Sequence, residues 1–157
     1  MMNKTQGEGI QMYKKVLVPL DGSEVAECAL SHVKTLAKDG AIGEVVVLNV
    51  VGIDIPWDEM DKGLDFGAFR QKLIAASQEY LTKVGAQLSD EGLNVKTEFI
   101  EANRPSHVIT EYAHKNGIDL IVIATHGYTG FQKLLLGSVA LNGIFIYRQR
   151  QGVSNQN

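Results

Sequence analysis

Four short apolar runs, separated by segments of helical spacing, organise the chain. Val16-Leu17-Val18-Pro19-Leu20, Val45 to Val51 and Leu120 to Ala124 are continuously apolar and rich in β-branched residues. Strands read this way when a sheet is covered on both faces. From Val95 to Ile100 apolar and polar residues alternate, the pattern of an edge strand with one covered face. Ser23 suits the N-cap of a helix reaching about Lys38, with Gly40 just beyond it. Its inner face would carry Ala26, Leu30, Val33 and Ala37. A second helix is expected from about Leu64 to Asp90, with Phe66, Phe69, Leu73, Tyr80, Leu81, Val84 and Leu88 at helical spacing. A third starts at Pro105, a favoured first helical position, and turns Val108, Ile109, Tyr112 and Ala113 inward before ending near Gly117. Gly52 to Gly63 reads as a loop after the second strand. Strands alternating with helices predict βαβ units with right-handed crossovers. The fold class is therefore α/β, an open, mainly parallel twisted sheet of four to five strands with helices on both faces, Rossmann-like.

Composition narrows the partners. The 157 residues are 45% hydrophobic and 21% charged, with a formal net charge of −3. These values fit an ordinary soluble domain and not a disordered chain. They lack the basic excess that attracts nucleic acid. No apolar run has the roughly 18–20 residues needed to span a bilayer, and no secretory h-region opens the chain. Cytoplasmic localisation is the default expectation, without nucleic acid or membrane as partner. One cysteine, Cys28, excludes an internal disulfide and a cysteine-rich zinc site.

In an open α/β sheet, ligands bind beyond the carboxyl ends of the strands. That rule selects Pro19 to Ser23, Val50 to Asp54, Asn103 to Pro105 and Ala124 to Ser138. The last segment follows an apolar strand directly and carries Gly127, Gly130 and Gly137. Glycines let a backbone approach a ligand closely. Gly137-Ser138 stands where a new helix can begin, and free N–H groups with a hydroxyl there suit phosphate oxygens. The standard P-loop and dinucleotide fingerprints are absent, so a plain connecting loop is the competing reading. Asp21, at a strand's carboxyl end, is a binding candidate or a turn residue before Gly22. His126 has no carboxylate partner in sequence and reads as exposed. His32, His107 and His114 lack ligand spacing, and Cys28 reads as a small apolar helix residue. Lys133 either steers phosphate or is solvated. Asp58, Glu59, Asp61 and Asp65 read as a solvated acidic stretch. No nucleophile paired with a base can be assembled, so no catalytic or metal residue is assigned.

The chain resembles the universal stress protein family. Lys14-Lys15-Val16-Leu17-Val18-Pro19-Leu20-Asp21-Gly22-Ser23 is similar to the family's opening strand with its terminal aspartate. Leu48-Asn49-Val50-Val51 resembles the end of its second strand. Pro105, Ile109 and Ala113 resemble the helix before Asp119 to Ile123. Ala124 to Ser138 resembles its nucleotide loop, G-x2-G-x9-G-[ST]. The resemblance runs from about Tyr13 to Ala140. It implies domain limits of 13–140, after a disordered leader at 1–12 and before a divergent tail at 141–157, with Met1, Met2 and Met12 all open as starts.

The resemblance also implies an adenine-nucleotide pocket for ATP or AMP, with Mg²⁺ arriving on the phosphates, and hydrolysis absent or slow. Pro19 and Leu20 would border the base, Asp21 would hold the ribose hydroxyls or help orient the adenosine, and Val50 would offer backbone groups to the adenine edge. Ala124 would lie near the ribose, and Gly127, Gly137 and Ser138 would meet the phosphates. The alternative is a dimeric interaction protein of the same family that binds no nucleotide. An enzyme of a related adenine-nucleotide hydrolase type would carry S-G-G-x-D-S or H-I-G-H, and neither is present. Three departures stand out. Ala124 replaces the loop's first glycine, Asn49 stands where histidine is common, and Asn103 where glycine is common. After Ala140 the family's helix and final strand do not fit, since a parallel crossover needs a dozen or more residues. A frameshift or truncation would produce such a loss. The last element is then a short helix from Ser138 or an improvised strand at Ile144 to Tyr147. The family's pairing strand is then absent or rebuilt from Ile144, Phe145, Ile146 and Tyr147, and without it the strand ending at Ala124 is expected to become a sheet edge. A homodimer is then expected to be weakened, with heterogeneous association.

Overall fold

The computed structural model describes residues 12–53, 63, 65–124, 139–141 and 144–148. In chain order the elements are β1 (Tyr13–Pro19), α1 (Glu24–Lys38), β2 (Ile42–Val51), α2 (Phe66–Asp90), β3 (Val95–Glu101), α3 (Pro105–Lys115), β4 (Leu120–Ala124), β5 (Val139–Leu141) and β6 (Ile144–Arg148). They form one sheet in the order β3-β2-β1-β4-β6-β5. The first four strands are parallel, with Val16 facing Val45 on one side and Leu120 on the other. This α/β architecture, with β3 at an edge, is the one the alternation of patterns predicts.

The core has two halves, set by strand alternation. Val16, Val18, Leu20, Val45, Val47, Leu120, Val122 and Ala124 point to one face and meet Ala26, Ala29, Leu30 and Val33 of α1 and Leu81, Val84 and Leu88 of α2. Leu17, Val46, Leu48, Val50, Ile121 and Ile123 point to the other and meet Ile109 and Ala113 of α3. Each fully buried leucine or valine contributes about 1.5–3 kcal/mol over its exposed state. The central strands thus hold most of the apolar stabilisation. Among the glycines, Gly85 marks a close contact. A Cβ there would stand 3.0 Å from Thr97 Cγ2, so its absence lets α2 lie tight on β3.

Helix termini follow local chemistry. The Ser23 hydroxyl accepts from Ala26 N–H at 3.1 Å. Asp65 Oδ1 accepts from Ala68 N–H at 3.2 Å and starts α2. Asp65 is exposed, as expected, and also serves as the helix cap.

Three expectations need correction. The sheet has six strands, not four to five. The added strands are β5 and β6, with β6 running antiparallel to β4 from Leu120↔Arg148 to Ala124↔Ile144. An antiparallel strand needs no crossover helix, so a short segment suffices. β4 is consequently an interior strand and not an edge. Phe66 and Phe69 are not on the inner face of α2; they are 48% and 41% exposed. The cause is length. A 25-residue helix spans about 37 Å, whereas a seven-residue strand spans about 23 Å, so the first turns of α2 overhang the sheet. The leader at residues 1–11, most of the loop after β2, and residues 125–138 lie outside the described residues.

Candidate functional site

At the carboxyl end of β1 the chain makes a tight turn. Leu20 N–H donates to Leu48 O at 2.8 Å, continuing the parallel ladder one step past Pro19. Asp21 Oδ1 then accepts from Ser23 N–H at 2.9 Å, closing an Asx turn. Gly22 between them has φ +84°, a region that costs any side-chain-bearing residue about 1–2 kcal/mol. The turn delivers Ser23 to its capping position and leaves Asp21 exposed.

Beside this turn lies a pocket of about 400 Å³, within the roughly 300–1,000 Å³ typical of small-molecule sites. Asp21, Gly22, Asn49, Val50 and Val51 form its sheet side, and Leu73, Ala76, Ser77 and Tyr80 of α2 form the other wall. Main-chain direction on β2 follows from the hydrogen bonds. Val45 N–H donates to Asn94 O, and Ala102 N–H donates to Val51 O. Odd-numbered residues thus turn their backbone groups toward β3. Leu48 O accepts from Leu20, so even-numbered residues turn theirs toward β1. Val50 therefore aims its N–H and C=O at the space β1 leaves when it turns at Asp21. A ligand there finds one donor and one acceptor, side by side, on a rigid strand.

Of the lining residues, Asn49 and Ser77 are buried, at 5% and 7% exposure. Asn49 Nδ2 donates to Leu20 O at 3.0 Å, and Ser77 Oγ donates to Asn49 Oδ1 at 2.8 Å. The network dictates the amide orientation, since a carbonyl only accepts and must face the amide nitrogen. At the outer rim, Arg70 makes a two-pronged pair with Glu101, from Nε to Oε1 at 2.9 Å and from Nη2 to Oε2 at 2.5 Å. The guanidinium holds the Glu101 carboxyl below its ordinary range, chiefly through the hydrogen bond. This pair joins the overhanging start of α2 to the end of β3. Tyr80 OH donates to Glu27 Oε1 at 3.2 Å and joins α2 to α1.

The expected site residues divide into three groups. Asp21 and Val50 line the pocket together. Pro19 and Leu20 are buried, and the Leu20 side chain sits in the core beside α1 residues, so neither borders this pocket. Ala124 is also buried in that core half. Continuing the register Val16↔Leu120 sets it beside Leu20. Its methyl group, the departure from glycine, is absorbed by packing. Gly127, Gly137 and Ser138 lie outside the described residues. The contribution of α2 is absent from the sequence-based expectation. Its signal is Ser77, a polar residue at the helical spacing of Leu81, Val84 and Leu88, which must find a buried partner. Among the described residues, no group of three histidine, cysteine or acidic side chains could hold a metal ion. Nor is any described helix long and apolar enough to cross a membrane.

Known proteins place this arrangement in a family. The model of the universal stress protein family matches residues 12–142. Universal stress protein MJ0531 of Methanocaldococcus jannaschii is 34% identical over 140 residues, 89% of this chain and 81% of that protein. Universal stress protein MJ0577 of the same organism is 32% identical over 151 residues, 85% of this chain and 89% of that protein. The solved structure of MJ0577 superposes with a TM-score of 0.63 at 32% identity, covering 80% of this chain and 83% of that one. The superposition of the α/β fold and the match over residues 12–142 agree, and the chain belongs to the universal stress protein family.

Proposed function

We propose that this protein binds an adenine nucleotide, ATP or AMP, at the carboxyl end of its sheet, and acts in the stress response by holding the nucleotide. The observation that carries this reading is the Val50 backbone, whose N–H and C=O face a pocket also lined by the Asp21 carboxylate. A strand's adjacent donor and acceptor complement the N1 and N6 edge of adenine, and a carboxylate complements ribose hydroxyls. The pocket volume admits a nucleoside. The chain leaves β4 at Ala124, on the neighbour of β1, and runs on to Gly127, Gly137 and Ser138, whose sequence suits phosphate. Mg²⁺ would be held by the phosphates, since no metal-binding group of side chains stands among the described residues. Among the described residues lining the pocket, no base stands paired with a nucleophile, and the proposed role is storage or sensing.

Isothermal titration of the purified protein with MgATP and AMP tests this. Binding at or below millimolar ligand is expected, with each nucleotide displacing the other. Gly127→Val abolishes it, because a branched side chain fills space near the phosphates. The absence of heat and of competition at millimolar ligand overturns the reading and leaves a family member that acts through protein contacts.

A further inference from the structure

In a continued parallel ladder, Leu20 would be bonded twice to β2. Its N–H would donate to Leu48 O, and its C=O would accept from Val50 N–H. The first bond is present at 2.8 Å. The second is replaced: Leu20 O accepts from the Asn49 side-chain amide at 3.0 Å, and Val50 N–H does not bond to Leu20 O. The amide is held for this by Ser77, whose hydroxyl donates to Asn49 Oδ1 at 2.8 Å. Both side chains are more than nine-tenths buried, where an unpaired polar atom is costly, so the arrangement is strongly specified.

We infer that Asn49 is a positioning residue that ends the β1–β2 ladder one bond early, and so reserves the Val50 N–H as a donor for a planar, nitrogen-bearing base. The inference rests on the nucleotide reading for the identity of the ligand, but the ladder it describes belongs to the ligand-free protein. Without the Asn49 amide, the Leu20 carbonyl loses its side-chain donor, and Val50 N–H is the donor that a continued parallel ladder would bring to it. The site would then close by completing its own sheet. Ser77 acts one step further back, by fixing which end of the amide meets Leu20.

Asn49→Leu keeps the side-chain size and removes the donor. In the ligand-free protein, amide hydrogen exchange at Val50 is expected to slow in this variant, while exchange at Val47 and Val51, whose backbone groups face β3, stays as in the unaltered protein. A purely structural role for Asn49 predicts the opposite sign, with faster exchange at Val50 and its neighbours. Affinity for adenosine and for ATP is expected to fall by the same factor, roughly tenfold for one lost hydrogen bond to the base. Asn49→His restores both readouts, because a neutral imidazole can donate to Leu20 O through one nitrogen and accept from Ser77 through the other. If Asn49→Leu does not fold, Ser77→Ala supplies the same comparison, with a smaller slowing of Val50 exchange. Unchanged or faster Val50 exchange in these variants overturns the assignment of Asn49, whatever binds. Slower Val50 exchange in a protein that binds no nucleotide upholds the ladder assignment and overturns the nucleotide reading instead.

Discussion

Two cavities of similar size lie at opposite ends of the sheet, about 440 Å³ at the amino end and about 400 Å³ at the carboxyl end, and their polar atoms behave differently. At the amino end the polar groups are paired with one another. Lys34 Nζ meets Glu91 Oε1 at 2.8 Å, Val45 N–H is taken by Asn94 O, and Tyr13 N–H by Ala41 O. Asp119 Oδ2 accepts from both Lys14 and Lys15 N–H, at 2.8 and 3.0 Å, and so fastens β1 to the start of β4. At the carboxyl end a side chain intercepts a backbone bond, a glycine turn bends the chain away, and Val50 and Asp21 face open space. Two clefts of similar volume thus differ in their polar groups. At one end they hold strands together, and at the other the proposed function gives some of them to a ligand.

Exchanging aspartates at the two ends tests this contrast most strongly. Asp21→Asn retains an oxygen for the Asx turn and removes the charge. It should weaken nucleotide binding about tenfold or more, as expected for a lost hydrogen bond to a charged group, with the urea midpoint unchanged. Titration calorimetry beside a denaturation curve reads both. A loss of stability with intact affinity would assign Asp21 to the turn alone.

Asp119→Ala should do the reverse. It strips the shared acceptor from two backbone donors and costs about 1–2 kcal/mol of stability in urea unfolding, with nucleotide affinity unaltered. A matching fall in affinity would show that the two ends are coupled through β1 and β4.

The smallest effect belongs to the rim. Glu101→Gln removes one member of an exposed ion pair, and such pairs contribute little. The sign is nonetheless definite. The Glu101 carboxyl titrates below its ordinary range, so its contribution is present above the usual glutamate pKa of about 4.3. It is lost as pH falls through the lower folded value. The difference between variant and unaltered protein should therefore exist at pH 7 and vanish in acid. A difference that persists in acid would show that Arg70 and Glu101 act by packing and not by charge.

Much of this was legible before any coordinates. Val16 to Leu20, Val45 to Val51 apart from Asn49, and Leu120 to Ala124 are apolar because both of their faces are covered, and that pattern announces buried parallel strands. Asp21 and Val50 were legible as candidates because ligands gather at the carboxyl ends of such strands, and both line the pocket there. The position of α2 was less so. Phe66 and Phe69 have the spacing of core residues, but spacing cannot reveal that the helix outruns the strand beneath it. Ser77 sits on the inward stripe as a polar residue, a local inconsistency that signals a buried partner without naming it.

By itself the sequence determined the local terms: helical and extended segments, the cap at Ser23, the glycine turn after Asp21, and the apolar load of each strand. These depend on residues close in the chain. Which carbonyl Asn49 would take, and that β6 would reach β4 by running antiparallel, were decided only in the tertiary structure. Both join residues about 20 or more positions apart. A hydrogen bond across such a separation depends on how strands register and turn relative to one another. No local preference encodes that geometry, and packing of the whole sheet selects it.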